Sequence, residues 1–104
     1  MTGSGSGARL WGLIMAPHFP PVASKAVVKI VWRMTGAGAL KHVGYSFHRK
    51  SLPLAWGPQL HGGSNYTRPG IEWGAGYRFR TPGCYRLTAR RTHGSAVVWL
   101  RIKR

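Results

Sequence analysis

Apolar and polar residues alternate strictly toward the C-terminus of this chain. Tyr77 and Phe79 interleave with Arg78 and Arg80. After Thr81-Pro82-Gly83, Tyr85, Leu87 and Ala89 interleave with Arg86, Thr88 and Arg90. After Thr92-His93-Gly94-Ser95, Val98, Leu100 and Ile102 interleave with Val97, Trp99, Arg101 and Lys103. A period of two, punctuated by turn residues, belongs to half-buried strands. It predicts three sequential strands forming an antiparallel meander. One side carries Tyr77, Phe79, Tyr85, Leu87, Val98, Leu100 and Ile102. The other carries Arg78, Arg80, Arg86, Arg90, Trp99, Arg101 and Lys103.

The same period recurs upstream. Residues 25–34 place Val28, Ile30, Trp32 and Met34 on one face and Val27, Lys29, Val31 and Arg33 on the other. The β-branched content suits a strand. Thr35-Gly36-Ala37-Gly38 reads as a turn, and 39–47 alternate again around Leu40, Val43 or Tyr45, and Phe47, with Gly44 suggesting a bulge. Residues 9–15 form a short first strand. Residues 16–24 are irregular, because Pro17, Pro20 and Pro21 lack the N–H that a ladder needs. Residues 48–75 read as a long, loop-rich middle, a kind of segment that is often functional. Residues 1–8 are Gly/Ser-rich and read as a flexible lead-in to a single β-rich domain over 9–104.

Length and composition fit this picture. The chain has 104 residues, 43% of them hydrophobic, with five Trp, four Tyr and three Phe. That suffices for one core and argues against wholesale disorder. Gly (15) and Pro (7) favour loops over long helices. The fold expected is all-β, an immunoglobulin-like antiparallel sandwich of six or seven short strands. A small barrel of the oligonucleotide-binding type is the alternative.

Charge changes the functional picture more than the fold. Sixteen Lys and Arg stand against one acid, Glu72, for a formal net charge of +15 and a pI near 11.8. Such a chain seeks anions: nucleic acid, acidic lipid or acidic polysaccharide. Codon usage in a GC-rich genome explains an excess of Arg over Lys, but not the near absence of Asp and Glu. No segment approaches the roughly 18 apolar residues of a membrane span. The run Leu10 to Ala16, preceded by Arg9 and closed by Pro17, imitates a signal peptide, but its shortness favours a strand.

Candidate chemistry is sparse. The single cysteine, Cys84, rules out an intrachain disulfide. As a nucleophile it would need a base, and no spacing points to His61 or His93. A buried structural thiol is the expectation. His18, His42, His48, His61 and His93 are spaced by 24, 6, 13 and 32 residues, which matches no zinc pattern. Glu72 has no second carboxylate for paired acid–base work. It reads as a structural anion, ion-paired with Arg68 or Arg78 or accepting loop N–H bonds. Asn65-Tyr66-Thr67 fits the N-glycosylation acceptor pattern and carries no weight alone. No cofactor motif is present, and the chain reads as a non-enzyme.

The segment Phe79-Arg80-Thr81-Pro82-Gly83-Cys84-Tyr85 resembles a group of uncharacterised bacterial proteins that end in F-x-x-PGCW or PGCY followed by a hairpin. Leu10-Trp11, Lys29 to Arg33 with Gly36 and Gly38, and Arg68 to Gly74 extend the resemblance over most of the chain. It implies an exported immunoglobulin-like sandwich and no reaction. The motif also makes physical sense. Pro82 and Gly83 suit the two central positions of a turn. Tyr85 can bury its ring while its hydroxyl reaches a carbonyl. Two functional readings follow. One is a non-enzymatic extracytoplasmic sandwich domain of unknown ligand. The other is a nucleic-acid-binding protein, cytoplasmic in location, that uses Arg78, Arg80, Arg86, Arg90, Trp99, Arg101 and Lys103, with Trp99 as a stacking platform.

Overall fold

A computed structural model describes residues 1–16, 21–61 and 70–104. Nine strands form the described chain: β1 (Thr2–Gly5), β2 (Ala8–Met15), β3 (Val27–Met34), β4 (Ala37–Phe47), β5 (Lys50–Leu52), β6 (Trp56–His61), β7 (Ile71–Arg78), β8 (Gly83–His93) and β9 (Ser95–Ile102). They make one curled antiparallel sheet in the order β5-β4-β8-β9-β1-β2-β3-β7-β6. The described residues contain no helix. The all-β expectation holds. The strand count is nine rather than six or seven, because two short strands and β1 arise where the sequence reads as loop.

The period-two pattern sets which residues enter the core. In β3, Val28, Ile30, Trp32 and Met34 are buried while Val27 and Lys29 face out. In β8 and β9, Tyr85, Leu87, Ala89, Ala96, Val98, Leu100 and Ile102 are buried. The sheet curls so that these two sets share one core with Trp73, Ala75, Tyr77 and Phe79. Aromatic rings knit the two halves together. Tyr45 of β4 meets Tyr77 of β7 edge-on at 4.9 Å, and Phe79 meets Tyr85 at 4.9 Å. Edge-to-face pairs of this kind add about 0.5–1.5 kcal/mol beyond their burial. The Tyr45 hydroxyl also accepts from the Arg78 N–H at 3.0 Å and donates to the Arg78 carbonyl at 3.1 Å, which fastens β4 to the end of β7.

The meander expected over 77–103 is only partly realised. β8 pairs with β9 along its length, Gly83 opposite Ile102 through Arg90 opposite Ser95. β7, however, pairs with β3 and β6, and the other neighbour of β8 is β4. Residues 79–82 therefore carry the chain from one half of the curled sheet to the other. The alternation along β7 fixes its faces and is silent on its partner, since period two carries no information on long-range pairing.

Residues 1–8, expected as a flexible lead-in, supply β1 between β9 and β2. The glycines are the reason. A Cβ on Gly3 would run into the Val97 carbonyl, and one on Gly5 into the Ser95 carbonyl, so only glycine lets β1 lie this close to β9. The bulge expected at Gly44 is absent. Gly44 pairs regularly with Thr88, and the irregularities lie between Ala37 and His42. The expected loop 48–75 contains β5, β6 and the start of β7. His18, the prolines at 17 and 20, Arg68 and Asn65-Tyr66-Thr67 lie outside the described residues.

Candidate polyanion-binding face

The outer face of β8 and β9 is built by the alternation that fills the core. With Tyr85, Leu87 and Ala89 inside, Arg86 and Arg90 project outward, and Trp99 and Arg101 on β9 follow the same phase. Arg86 lies opposite Trp99, and Cys84 lies opposite Arg101. On the other flank Ser46 of β4 lies opposite Arg86, and His42 opposite Arg90. Arg86, Arg90 and Arg101 are exposed, and Trp99 is 66% exposed. The alternation thus leaves a large apolar ring on the solvent side of the sheet among arginines.

Beside this face the β4–β5 hairpin closes through only two residues, His48 and Arg49, with Phe47 opposite Lys50. Both have positive φ, 49° and 66°. Two-residue hairpins of the I′ class need positive φ at both central positions and favour Asn-Gly. His-Arg there is strained, and strain of this kind concentrates at functional sites. The His48 ring packs edge-on against Phe47 at 4.2 Å, and Phe47 packs on Tyr85 at 4.6 Å. The turn is thereby tied to the core. Between it and Trp99 runs a groove of about 860 Å³, lined by Ser46, His48, Arg49, Ser51, Gly83, Cys84, Arg86 and Trp99.

Gly83 also lines this groove. Its φ is 137°, and a Cβ there would stand 2.8 Å from the Phe47 ring. Pro82-Gly83 thus makes both the turn and the space that admits Phe47. Tyr85 then closes the corner. Its hydroxyl donates to the Thr81 carbonyl at 2.7 Å and accepts from the Thr81 N–H at 3.2 Å. Related tyrosine corners recur in immunoglobulin-like sandwiches.

Several residues sit elsewhere than expected. Cys84, read as buried, is exposed on the outer face. It is in phase with Arg86 rather than Tyr85, and Phe47 occupies the crowded corner instead. Neither His61 nor His93 stands by it. His48 shares its groove, His61 lies on β6, and His93 pairs with Ala37 at the far end of β8. Arg78, on β7, and Arg80, in the connection from β7 to β8, leave the basic face, because β7 is not beside β8. They line a separate cleft of about 250 Å³ with Lys50, Pro53 and Thr81. Lys103 lies just beyond β9, exposed and in phase with Trp99 and Arg101, with its main chain bonded to Pro21 and Ala23. The face that remains is Arg86, Arg90, Trp99, Arg101 and Lys103, with His48 and Arg49 added by the turn.

Glu72 lies in the other half of the sheet, on β7. Its side chain is 3% exposed. Arg33 Nε lies 3.7 Å from Oε1, and His61 Nδ1 lies 3.0 Å from Oε2. Arg33 and His61 occupy the positions directly opposite it on β3 and β6. Arg78 stands at the opposite end of β7, opposite Val27. The chain's single carboxylate side chain is therefore buried on β7, away from β8 and β9 in the strand order, and the basic face carries no carboxylate side chain of its own.

Sequence reasoning passed over Arg91, which is 8% exposed. Its Nε and Nη2 donate to the Gly38 carbonyl at 3.0 and 2.8 Å, and Nη1 donates to the Met34 carbonyl at 3.2 Å. It was findable, since Arg91 is in phase with Tyr85, Leu87 and Ala89. Among the described residues no three His, Cys, Asp or Glu side chains gather closely enough to hold a metal ion, and no helix is long and apolar enough to cross a membrane. Comparison with protein-family models, with curated proteins and with solved structures finds no match to this chain.

Proposed function

We propose that this chain is a non-enzymatic β-sandwich module that binds a polyanion through the outer face of β8 and β9. One observation carries the reading. Arg86, Arg90 and Arg101 share the outer face of β8 and β9 with a tryptophan that is 66% exposed, and the only carboxylate side chain in the sequence is buried on β7. Unneutralised guanidinium groups on a sheet surface raise the local concentration of anions and bind them by releasing counterions. The test is binding of the purified chain to nucleic acid, heparin and anionic vesicles between about 50 and about 200 mM salt. Steep loss of binding over that range is expected. Replacing Arg86, Arg90 and Arg101 together by Gln should flatten the slope by about one unit for each arginine replaced. No binding at the lower salt, or a flat response, removes this reading.

The Pro82-Gly83-Cys84-Tyr85 corner supports a second reading, that of an exported bacterial sandwich domain whose ligand lies outside the cytoplasm. Fractionation of the host cell separates the two. Recovery outside the cytoplasm favours export, and recovery with RNA favours a nucleic-acid partner.

A further inference from the structure

We propose that the polyanion is single-stranded nucleic acid, and that the groove between the His48-Arg49 turn and Trp99 takes an unpaired base. The inference rests on the polyanion reading and assigns a ligand to it. Three features converge on the groove. Trp99 is largely exposed on the sheet surface and lines the groove, and any base can stack on such a ring when it is not already stacked in a duplex. Arg86 stands directly opposite Trp99, with Arg101 two residues further along β9, so cations flank the ring where phosphates on either side of a stacked base would run. The turn raises His48 and Arg49 as a second wall, held in place by Phe47. A volume of about 860 Å³ lies within the range of about 300–1,000 Å³ typical of sites that enclose a small organic group.

The alternatives fit less well. A duplex is read by an element that enters a groove, and the outer face of β8–β9 is a broad sheet surface. Sulfated polysaccharide and lipid headgroups need the cations and leave Trp99 without a role. A single strand uses both. Its phosphates follow the line from Arg101 through Arg86 to Arg90, about 13 Å along β8 between the last two, while a base turns onto Trp99.

Cys84 provides a direct report on the site, since it is the only cysteine in the chain and lies in the groove. The experiment uses the whole chain with an oligothymidylate of about 10 nucleotides, the matching duplex, heparin and anionic vesicles. Affinity and the rate of Cys84 alkylation are both measured at low salt. The oligothymidylate should bind at least tenfold tighter than the duplex per strand and slow alkylation of Cys84. Trp99→Ala should reduce its affinity by about tenfold, as expected when one base no longer has a ring to stack on, and leave heparin binding within about twofold. Trp99→Phe should restore most of the affinity. Equal binding of all four ligands, indifferent to Trp99→Ala, overturns the single-strand assignment and leaves the polyanion reading standing. Preference for heparin or vesicles, or an unprotected Cys84, overturns it as well. No binding of any ligand overturns both.

Discussion

Tyr77 shows how much one hydroxyl can govern. It is buried, and it accepts a hydrogen bond from Trp32 Nε1 at 2.9 Å. Burial pushes its pKa well above the ordinary 10.0, with the Trp32 bond opposing and Tyr45 adding to the rise. A raised folded-state pKa means that the native state keeps a proton the unfolded chain gives up. The resulting stability is intact below about pH 10 and is lost as pH rises beyond it. Tyr77→Phe leaves the Trp32 N–H buried without an acceptor, so it should cost about 1–3 kcal/mol at neutral pH. Above pH 10 wild type weakens through Tyr77 while the variant does not. The gap between them, measured by denaturant unfolding at about pH 8 and about pH 11, should narrow by about 1.4 kcal/mol per unit. A constant gap would mean that the phenol reaches solvent in the native state. Inward positions like this one were legible from the alternation. Partners were not: nothing local links Trp32 to Tyr77, or Arg91 to the carbonyls of Met34 and Gly38. Arg91 obeyed the period while violating the expectation that a guanidinium faces water. The carbonyls of Met34 at the end of β3 and Gly38 at the start of β4 solvate it in place of water.

At the scale of the element, the faces of β3, β8 and β9 could be read directly, because one buried side fixes the register of every residue on a strand. Pairing could not be read in the same way. Tyr77–Arg80 resembles the strand that precedes a hairpin, yet β7 belongs to the opposite half of the sheet and takes Arg78 with it, while Arg80 lies in the connection to β8. β1 was hidden for a different reason. Glycine and serine suggest a linker, whereas here their small size lets two backbones meet. Cys84 was misplaced because a small residue suggests a tight corner, when Gly83 already provides the room. These placements divide the arginines into two functional sets. Arg86→Gln with Arg101→Gln should lower the salt slope of oligonucleotide binding by about two. Arg78→Gln with Arg80→Gln should leave the slope unchanged within about half a unit. All four positions are exposed, so each variant should stay within about 0.5 kcal/mol of wild-type stability. Titrations across the salt range, paired with denaturant unfolding, check both halves. An equal effect from both pairs would return Arg78 and Arg80 to the binding face.

For the molecule as a whole, a net charge of +15 on a chain with a radius of gyration of 12.9 Å sets function against stability. Sixteen cations share one carboxylate side chain, and Arg33 and His61 already crowd it. The remaining cations repel one another in the folded state more than in the expanded unfolded chain. The core must outweigh that repulsion, and the knit of Tyr45, Tyr77, Phe79 and Tyr85 across the two sheet halves is placed to do so. Salt screens both terms but with opposite consequences. Between about 10 and about 150 mM chloride the Debye length falls from about 30 to about 8 Å. Over that range the melting temperature should rise, by about 4–8 °C for each 1 kcal/mol of repulsion removed, while affinity for a polyanion falls. The Arg86, Arg90 and Arg101 to Gln variant carries three fewer cations. It should start more stable than wild type at low salt, gain less from added chloride, and bind more weakly throughout. Thermal unfolding and binding measured on the same salt series decide this. If the variant's melting temperature responds to chloride as strongly as wild type's, the three arginines are not a focus of the repulsion. The charge of this protein would then be dispersed over its surface rather than gathered at a site.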